Sequence, residues 1–296
     1  MAETSRPRVH VTGLVPGAVA SALDDLFEVV DSPQGAEGIL SLLTTRVDEA
    51  YLTSAGPQLR IVANYGVGVD NIDLAAARRH EVVVANTPDV LTETTAELAI
   101  GLTLALLRRI AEGDRFLRAG RPWRFSLEFM LGEGLRGKRF GIVGPGRIGR
   151  ATGRLAEAFG AIPVYAGRGD GLEPLLRAAD VVSLHCPLTE ETRHLIDGAA
   201  LDLMRRDAVL VNTARGPIVD EQALVAALAA GSLAGAALDV FEHEPAVTER
   251  LLGFENVVLT PHLGSATRAT REAMGLLAVN ALRSLLVEGR VPDNSV

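Results

Sequence analysis

Phe140-Gly141-Ile142-Val143-Gly144-Pro145-Gly146-Arg147-Ile148-Gly149 places a short apolar run directly before a Gly-x-Gly-x-x-Gly turn. The run reads as a buried parallel strand, and Arg147–Phe159 reads as a helix that opens inside the turn. Such a turn taken alone serves packing as often as ligand binding. Between a buried strand and a helix it gains a specific use. Glycines let the backbone approach a pyrophosphate, whose charge is favoured by the amides and dipole of the helix N-terminus. Gly144, Gly146, Arg147, Ile148 and Gly149 are therefore the predicted dinucleotide-phosphate contacts.

The same alternation continues on both sides. Upstream, Val9–Thr12 leads to Ala18–Leu26, then Phe27–Val30, Ile39–Leu43, Arg60–Ala63 and Val82–Ala85. Downstream come Ile162–Ala166, Asp180–His185, Ala208–Asn212, Ala236–Val240 and Val257–Thr260. Strands alternating with helices predict parallel sheets covered by helices on both faces. Two such series predict an α/β protein of two doubly wound, Rossmann- or flavodoxin-like domains with a cleft between them.

The domains are expected to meet in one helix from Thr94 to about Ala119, with Thr94 and Glu97 as a capping box. A last helix, about Ala266 to Glu288, is long enough to return to the first domain. The expected division is a discontinuous substrate domain, 1–92 plus 270–296, and a dinucleotide-binding domain, 93–269. Only Ser32 to Gly38 separates two strand-like runs, too few residues for a helical crossover between parallel neighbours. A bare extended connection or a non-parallel neighbour is expected there.

The end of the strand after the glycine turn selects the dinucleotide. An acidic residue there accepts hydrogen bonds from the ribose hydroxyls of NAD, whereas arginine pairs with a 2′-phosphate. Here Ala166-Gly167-Arg168-Gly169-Asp170 puts Gly167 at the acidic position, with Arg168 next. NADP(H) is the preferred cofactor on this reading. NAD(H) stays possible if Arg168 is merely solvated and Asp170 curls back to the ribose.

Three further segments end in Gly or Pro turns after apolar runs: Val211–Gly216, Asp239–Pro245 and Thr260–Ser265. They carry Arg215, Glu244 and His262. Singly these read as a surface cation, a loop carboxylate and a structural histidine. Together they fall just past the C-terminal ends of predicted parallel strands, where such sheets bind ligands. Reduction of a 2-oxo acid needs a proton donor for the developing alkoxide, and protonated histidine suits that role. A neighbouring carboxylate stabilises the imidazolium, and arginine offers a planar fork to the substrate carboxylate and carbonyl. His243 is the rival histidine and reads as a loop residue. In the first series, Asn64–Asp70 carries two glycines, Gly66 and Gly68, suited to an anion-binding backbone nest or to a simple tight turn.

Composition narrows the function classes. The 296 residues are 48% hydrophobic and 22% charged, ordinary for a soluble globular protein. A net charge of -8 argues against a general nucleic-acid binder. One cysteine, Cys186, excludes an intrachain disulfide framework and suits a reducing compartment. The most apolar helix candidate, Leu98 to Leu107, is too short to span a bilayer, and the N-terminus has no signal-like run. A cytoplasmic protein with no membrane partner and no metal site is expected.

With these motifs in order along nearly the whole chain, the sequence resembles the D-isomer-specific 2-hydroxyacid dehydrogenases, most of all the glyoxylate/hydroxypyruvate reductases. Besides the glycine turn and the three segments, Asn64–Asp70 and Thr87–Leu98 carry the resemblance. It implies that Arg215 binds and polarises substrate, that Glu244 supports the histidine, and that His262 donates the proton. It implies substrate contacts from Leu43, from the amides of Val67 and Gly68, and from Ser265. Cys186, Pro187, Thr192, Thr213, Ala214, Asp239 and Gly264 match cofactor-binding positions, Cys186, Thr213, Ala214, Asp239 and Gly264 among them around the nicotinamide half. Tyr165–Arg168 is similar to the NADP-preferring reductases. A homodimer through the coenzyme domains is implied, with Trp123 near its contact. The connection at 32–38 and the segment 168–179 are shorter than that family's usual. The expected activity is NADPH-dependent reduction of glyoxylate or hydroxypyruvate. The alternatives are an NAD-dependent D-lactate or phosphoglycerate-type dehydrogenase and, more remotely, an NAD(P)-sensing binding protein of the same fold.

Overall fold

The computed structural model describes residues 6–296. The chain divides into two compact units, one running to Leu91 and completed by Ala266–Val296, the other spanning Thr92–Ser265. The first unit contains β1 (Arg8–Val11), α1 (Gly17–Leu26), β2 (Glu28–Val30), β3 (Gly38–Ser41), α2 (Glu49–Ala55), β4 (Ile61–Asn64), α3 (Leu74–Arg79) and β5 (Val83–Ala85). The second begins with α4 (Thr92–Leu107) and α5 (Ile110–Arg118), then β6 (Arg139–Val143), α6 (Arg147–Ala158), β7 (Ile162–Ala166), α7 (Glu173–Ala178) and β8 (Val181–Leu184). It continues through α8 (Gly198–Leu203), β9 (Val209–Asn212), α9 (Glu221–Ala230), β10 (Gly235–Leu238), α10 (Glu249–Leu252) and β11 (Val257–Leu259). The last helix, α11 (Arg268–Leu286), belongs to the first unit.

Each unit is built on one wholly parallel sheet, in the order β2-β1-β3-β4-β5 and β11-β10-β9-β8-β6-β7. In both, the chain moves outward from one central strand to one side and then to the other. That reversal opens a crevice at the C-terminal ends of the central strands, β6 and β8 in the second unit. The middle strands are buried on both faces: every residue of β3, β4, β8, β9 and β10 is inaccessible. This accounts for their unbroken apolar runs in the sequence. Fully burying a side chain such as Ile142 or Leu210 is worth about 1.5–3 kcal/mol.

The connection at 32–38 carries no helix, as its length requires. The strands it joins are not neighbours, because β1 lies between β2 and β3 and runs parallel to both. The option of a non-parallel neighbour is therefore wrong. A chain of bends suffices, pinned where the Glu37 amide donates to the Arg8 carbonyl at 2.8 Å and the Gly35 amide to the Ala55 carbonyl at 3.1 Å.

The helix expected from Thr94 to Ala119 is two helices. Arg109 adopts a left-handed conformation (φ 54°) and breaks it after Leu107, while its guanidinium grips Glu112 at 2.5 and 2.7 Å. The first helix starts at Thr92, so Thr94 lies within it and does not cap its start. By contrast, Thr267 does cap α11, accepting the Thr270 amide at 3.2 Å.

Candidate active site

The glycine turn follows β6 and leads into α6, whose N-cap is Gly146. Gly144 has φ 89°, and a Cβ there would lie 2.5 Å from the Cys186 amide nitrogen and 2.7 Å from its Cα. Only glycine fits between the two loops. A Cβ on Gly149 would meet the Gly144 carbonyl, which is why helix and turn can pack so closely. At Gly146 nothing lies within 4 Å, so that face of the turn is open to a ligand.

Arg215, Glu244 and His262 follow β9, β10 and β11, which are consecutive in the sheet and in register at Asn212, Leu238 and Leu259. Their loops therefore leave the same edge side by side. Asn212 shapes the first loop: its Oδ1 accepts the Ala214 amide at 3.0 Å and its Nδ2 donates to the Arg215 carbonyl at 2.9 Å. The Arg215 guanidinium donates to the Ala214 carbonyl at 2.8 Å, close enough to Glu244 for its charge to act on that carboxylate.

Glu244 spans its own turn and the next loop. Its Oε1 accepts the Phe241 amide at 3.0 Å, and its Oε2 lies 2.8 Å from His262 Nδ1. Burial pushes the Glu244 carboxyl up, but the His262 hydrogen bond, the His262 charge, the Phe241 amide and the Arg215 charge outweigh it and hold it below its ordinary value. An ionised Glu244 fixes a proton on Nδ1 and leaves His262 Nε2 as the nitrogen available for proton transfer. His262 itself sits at φ 55°, its amide bonded to the Asp239 carbonyl at 2.8 Å.

Asp239, expected to line the nicotinamide half, is fully buried. Its Oδ1 accepts the Thr260 hydroxyl at 2.5 Å and the Leu263 amide at 2.7 Å, and its Oδ2 accepts the Gly264 amide at 2.8 Å. Burial raises this carboxyl, opposed by those donors. What the carboxylate holds in this structure is the loop that carries His262.

The remaining expected positions fall in two groups. Thr192 Oγ1 accepts the Thr189 amide at 2.8 Å and donates to the Pro187 carbonyl at 2.7 Å, bracing the loop after β8. Burial pushes the Cys186 thiol up to about 11, so it is a neutral wall. Ala214 packs at the edge of the core, and Ser265 ends the unit. Arg168 is exposed after β7. The Asp170 Oδ2 accepts the Gly167 amide at 2.7 Å. In the first unit, Leu43 lies over Gly66, and the carbonyls of Val67 and Gly68 are anchored by the side-chain amides of Asn86 and Asn64 at 2.8 and 2.7 Å.

Residues 100–264 match the family model described as D-isomer specific 2-hydroxyacid dehydrogenase, NAD binding domain. The chain is 44% identical to a glyoxylate reductase of Aeropyrum pernix, over 98% of this chain and 96% of that one. This chain belongs to the D-isomer-specific 2-hydroxyacid dehydrogenases. It is also 48% identical to a glyoxylate/hydroxypyruvate reductase of Arabidopsis thaliana, over 80% of this chain and 78% of that one. Among solved structures it resembles an NADPH-dependent glyoxylate/hydroxypyruvate reductase of Sinorhizobium meliloti in complex with NADP and malonate. The TM-score is 0.88 and the identity 37%, covering 99% of this chain and 97% of that one. As a D-2-hydroxyacid dehydrogenase the chain is an oxidoreductase with a nicotinamide-dinucleotide-binding domain.

The dehydrogenase's own residues fit that group. Gly144 and Gly149 are too crowded for any other residue, while Gly146 is open. Thr213 Oγ1, expected near the nicotinamide, is buried without a hydrogen-bond partner. Sequence reasoning missed the supporting contacts. Asn212 stood in a quoted motif without a role, and the contacts of Asp239 with Thr260, Leu263 and Gly264 join residues over 20 apart. A second histidine–carboxylate pair, His194 Nε2 with Glu242 Oε1 at 2.6 Å, also went unread.

Proposed function

We propose that this dehydrogenase reduces small 2-oxo acids, glyoxylate or hydroxypyruvate, to the 2-hydroxy acids glycolate or D-glycerate, preferring NADPH. The observation that carries the reading is the His262–Glu244 pair at 2.8 Å with Arg215 alongside. Arg215 binds the substrate carboxylate and polarises the carbonyl through its fork of donors. Glu244 holds His262 by Nδ1, and the Nε2 proton passes to the carbonyl oxygen as charge develops there. The reduced nicotinamide, when bound, supplies the hydride. Gly144, Gly146, Arg147, Ile148 and Gly149 would hold the pyrophosphate, Cys186, Thr213, Ala214, Asp239 and Gly264 would line the nicotinamide half, and Pro187 and Thr192 are further proposed cofactor contacts. The amides of Val67 and Gly68, with Leu43 and Ser265, are proposed substrate contacts.

The NADPH preference rests on Gly167 in place of an acid, on exposed Arg168, and on the likeness to the NADPH-dependent reductase of Sinorhizobium meliloti. One observation favours NADH instead: the Asp170 carboxylate already occupies the Gly167 amide at the strand end. Cofactor titration separates the two readings. A Gly167→Asp, Arg168→Ala double variant should swing preference toward NADH; no swing refutes the 2′-phosphate model. The exposed run Trp123, Phe125, Leu127 and Leu131 supports a homodimer through the coenzyme units. No helix among the described residues is long and apolar enough to cross a membrane, and a cytoplasmic location is part of the proposal. The decisive experiment is NADPH oxidation against a panel of 2-oxo acids. Glyoxylate or hydroxypyruvate should lead it, and inactivity on all of them would overturn the reading.

A further inference from the structure

The turn that carries Glu244 is gripped from its other side by groups that touch no reacting atom. Glu242, two residues before Glu244, turns toward the start of α9. Its Oε1 lies 2.6 Å from His194 Nε2, and its Oε2 faces the Glu221 amide at 3.4 Å. The exchange is reciprocal, because the Glu242 amide donates to Glu221 Oε1 at 2.7 Å. Thr248, beyond the turn, donates its hydroxyl to Glu221 Oε2. Glu221 is buried at 3% exposure and the Glu242 side chain at 15%, so the His194 ring, itself 40% exposed, meets a carboxylate fixed from the inside.

His194 is tied to the arginine loop as well. Its amide donates to the Pro217 carbonyl at 2.8 Å, and the Ile196 amide continues the pairing by donating to the Ile218 carbonyl at 3.0 Å. Pro217 lies two residues after Arg215. Between them Gly216 packs so closely on the Phe241–Glu242 peptide that a Cβ would coincide with the Phe241 carbonyl. His194 thus holds the arginine loop by its backbone and the Glu244 turn by its ring. It does so from a left-handed conformation, φ 51°, uncommon for a non-glycine residue.

We propose that His194 is a positioning residue for the proton-donating pair: through Glu242 it fixes the turn that presents Glu244 to His262. The inference rests on the assignment of His262 as proton donor. Its ring contact reaches the Glu244 turn directly, while its backbone contact holds the loop of Arg215. Removing the ring should therefore slow proton delivery more than it weakens substrate binding.

The test compares His194→Ala with His194→Gln, whose side-chain amide can still donate to Glu242. In the full-length protein, His194→Ala should lower kcat about tenfold, within the range that small misplacements of reacting groups produce. KM for the 2-oxo acid should change less than about twofold, since the Pro217 bond is untouched. His194→Gln should recover most of kcat. Equal kcat in the wild type and His194→Ala, or a loss in both variants dominated by KM, overturns the proposal. A readout independent of turnover is the low-field proton resonance of the His262–Glu244 hydrogen bond, assigned by its loss in His262→Ala. It should broaden or vanish in His194→Ala and persist in His194→Gln; persistence in both overturns the proposal. If the wild type reduces no 2-oxo acid, the functional reading fails, while this resonance still decides whether His194 orders the pair.

Discussion

Asp239 holds His262 in place twice over: its carbonyl accepts the His262 amide at 2.8 Å, and its carboxylate accepts the next two amides, Leu263 and Gly264. This keeps the histidine in a left-handed conformation that an isolated residue would leave. Asp239→Asn keeps the size but replaces one acceptor with a donor that faces an amide N–H or the Thr260 hydroxyl. Loss of such a buried charged hydrogen bond costs about 1–3 kcal/mol. We expect a melting temperature lower by about 3–10 °C and a clear fall in kcat. Thermal unfolding and steady-state rates on the same preparation check both, and an unshifted melt with normal turnover would contradict this account.

His262→Ala should reduce kcat by about 10²–10⁴-fold, the usual contribution of a positioned acid. Arg215→Lys should also impair the enzyme, since a point charge cannot replace a planar fork. Near-normal turnover in the first, or unchanged kcat and KM in the second, would remove those residues from the mechanism.

The Glu244 carboxyl lies below its ordinary value, so its pairing has a defined pH signature. A carboxyl depressed in the folded state adds stability above its unfolded pKa, near 4.3, and loses it as pH falls through the lower folded value. The urea midpoint of the wild type should exceed that of Glu244→Gln above about pH 4.3. The gap should close on further acidification. A gap that is constant down to strongly acidic pH would mean that the pair contributes no ionic stability.

His185 gives the opposite kind of signal. Burial pulls its imidazole down to about 4, with Ser183 Oγ at 2.9 Å from Nε2. An unfolded histidine titrates near 6.5, so protonation favours the unfolded chain as pH falls from 6.5 to about 4. The loss should approach about 3 kcal/mol by the low end of that window. His185→Gln should flatten this part of the stability profile; an unchanged slope would show the imidazole already charged in the fold.

Gly144→Ala tests the nucleotide turn. The added methyl meets the Cys186 backbone at 2.5–2.7 Å, and the φ of 89° disfavours any side chain. Displacement of the loop should weaken NADPH binding at least about tenfold, following loss of roughly 1.4 kcal/mol or more. Calorimetry reports the affinity. Wild-type affinity would show that the turn does not hold the cofactor.

Much of this architecture is legible in the amino-acid order. The parallel strands announced themselves because doubly buried strands cannot alternate polarity, as Val209–Asn212 shows. The Arg215–Glu244–His262 grouping followed from strand ends, since neighbouring parallel strands deliver their C-terminal loops to one edge. What stayed hidden is contact at long sequence separation. Nothing in the order of letters says that Glu221 meets Glu242, or that Asp239 spends its carboxylate on amides 24 and 25 residues later. The break at Arg109 escaped because the hydrophobic pattern continues through it, while one left-handed residue decides the geometry.

The helix-free link between β2 and β3 now bears on tolerance to change. The chain of 296 residues aligns with its Aeropyrum relative over 323 positions, so it is shorter than that relative over the matched region. The glycine turn, the arginine, the glutamate and the histidine all belong to a single unit, and their mutual distances are set by one sheet and its loops. Trimming an edge of the other sheet does not perturb those distances. The spacing of the reacting groups is therefore set independently of how much scaffold that edge carries.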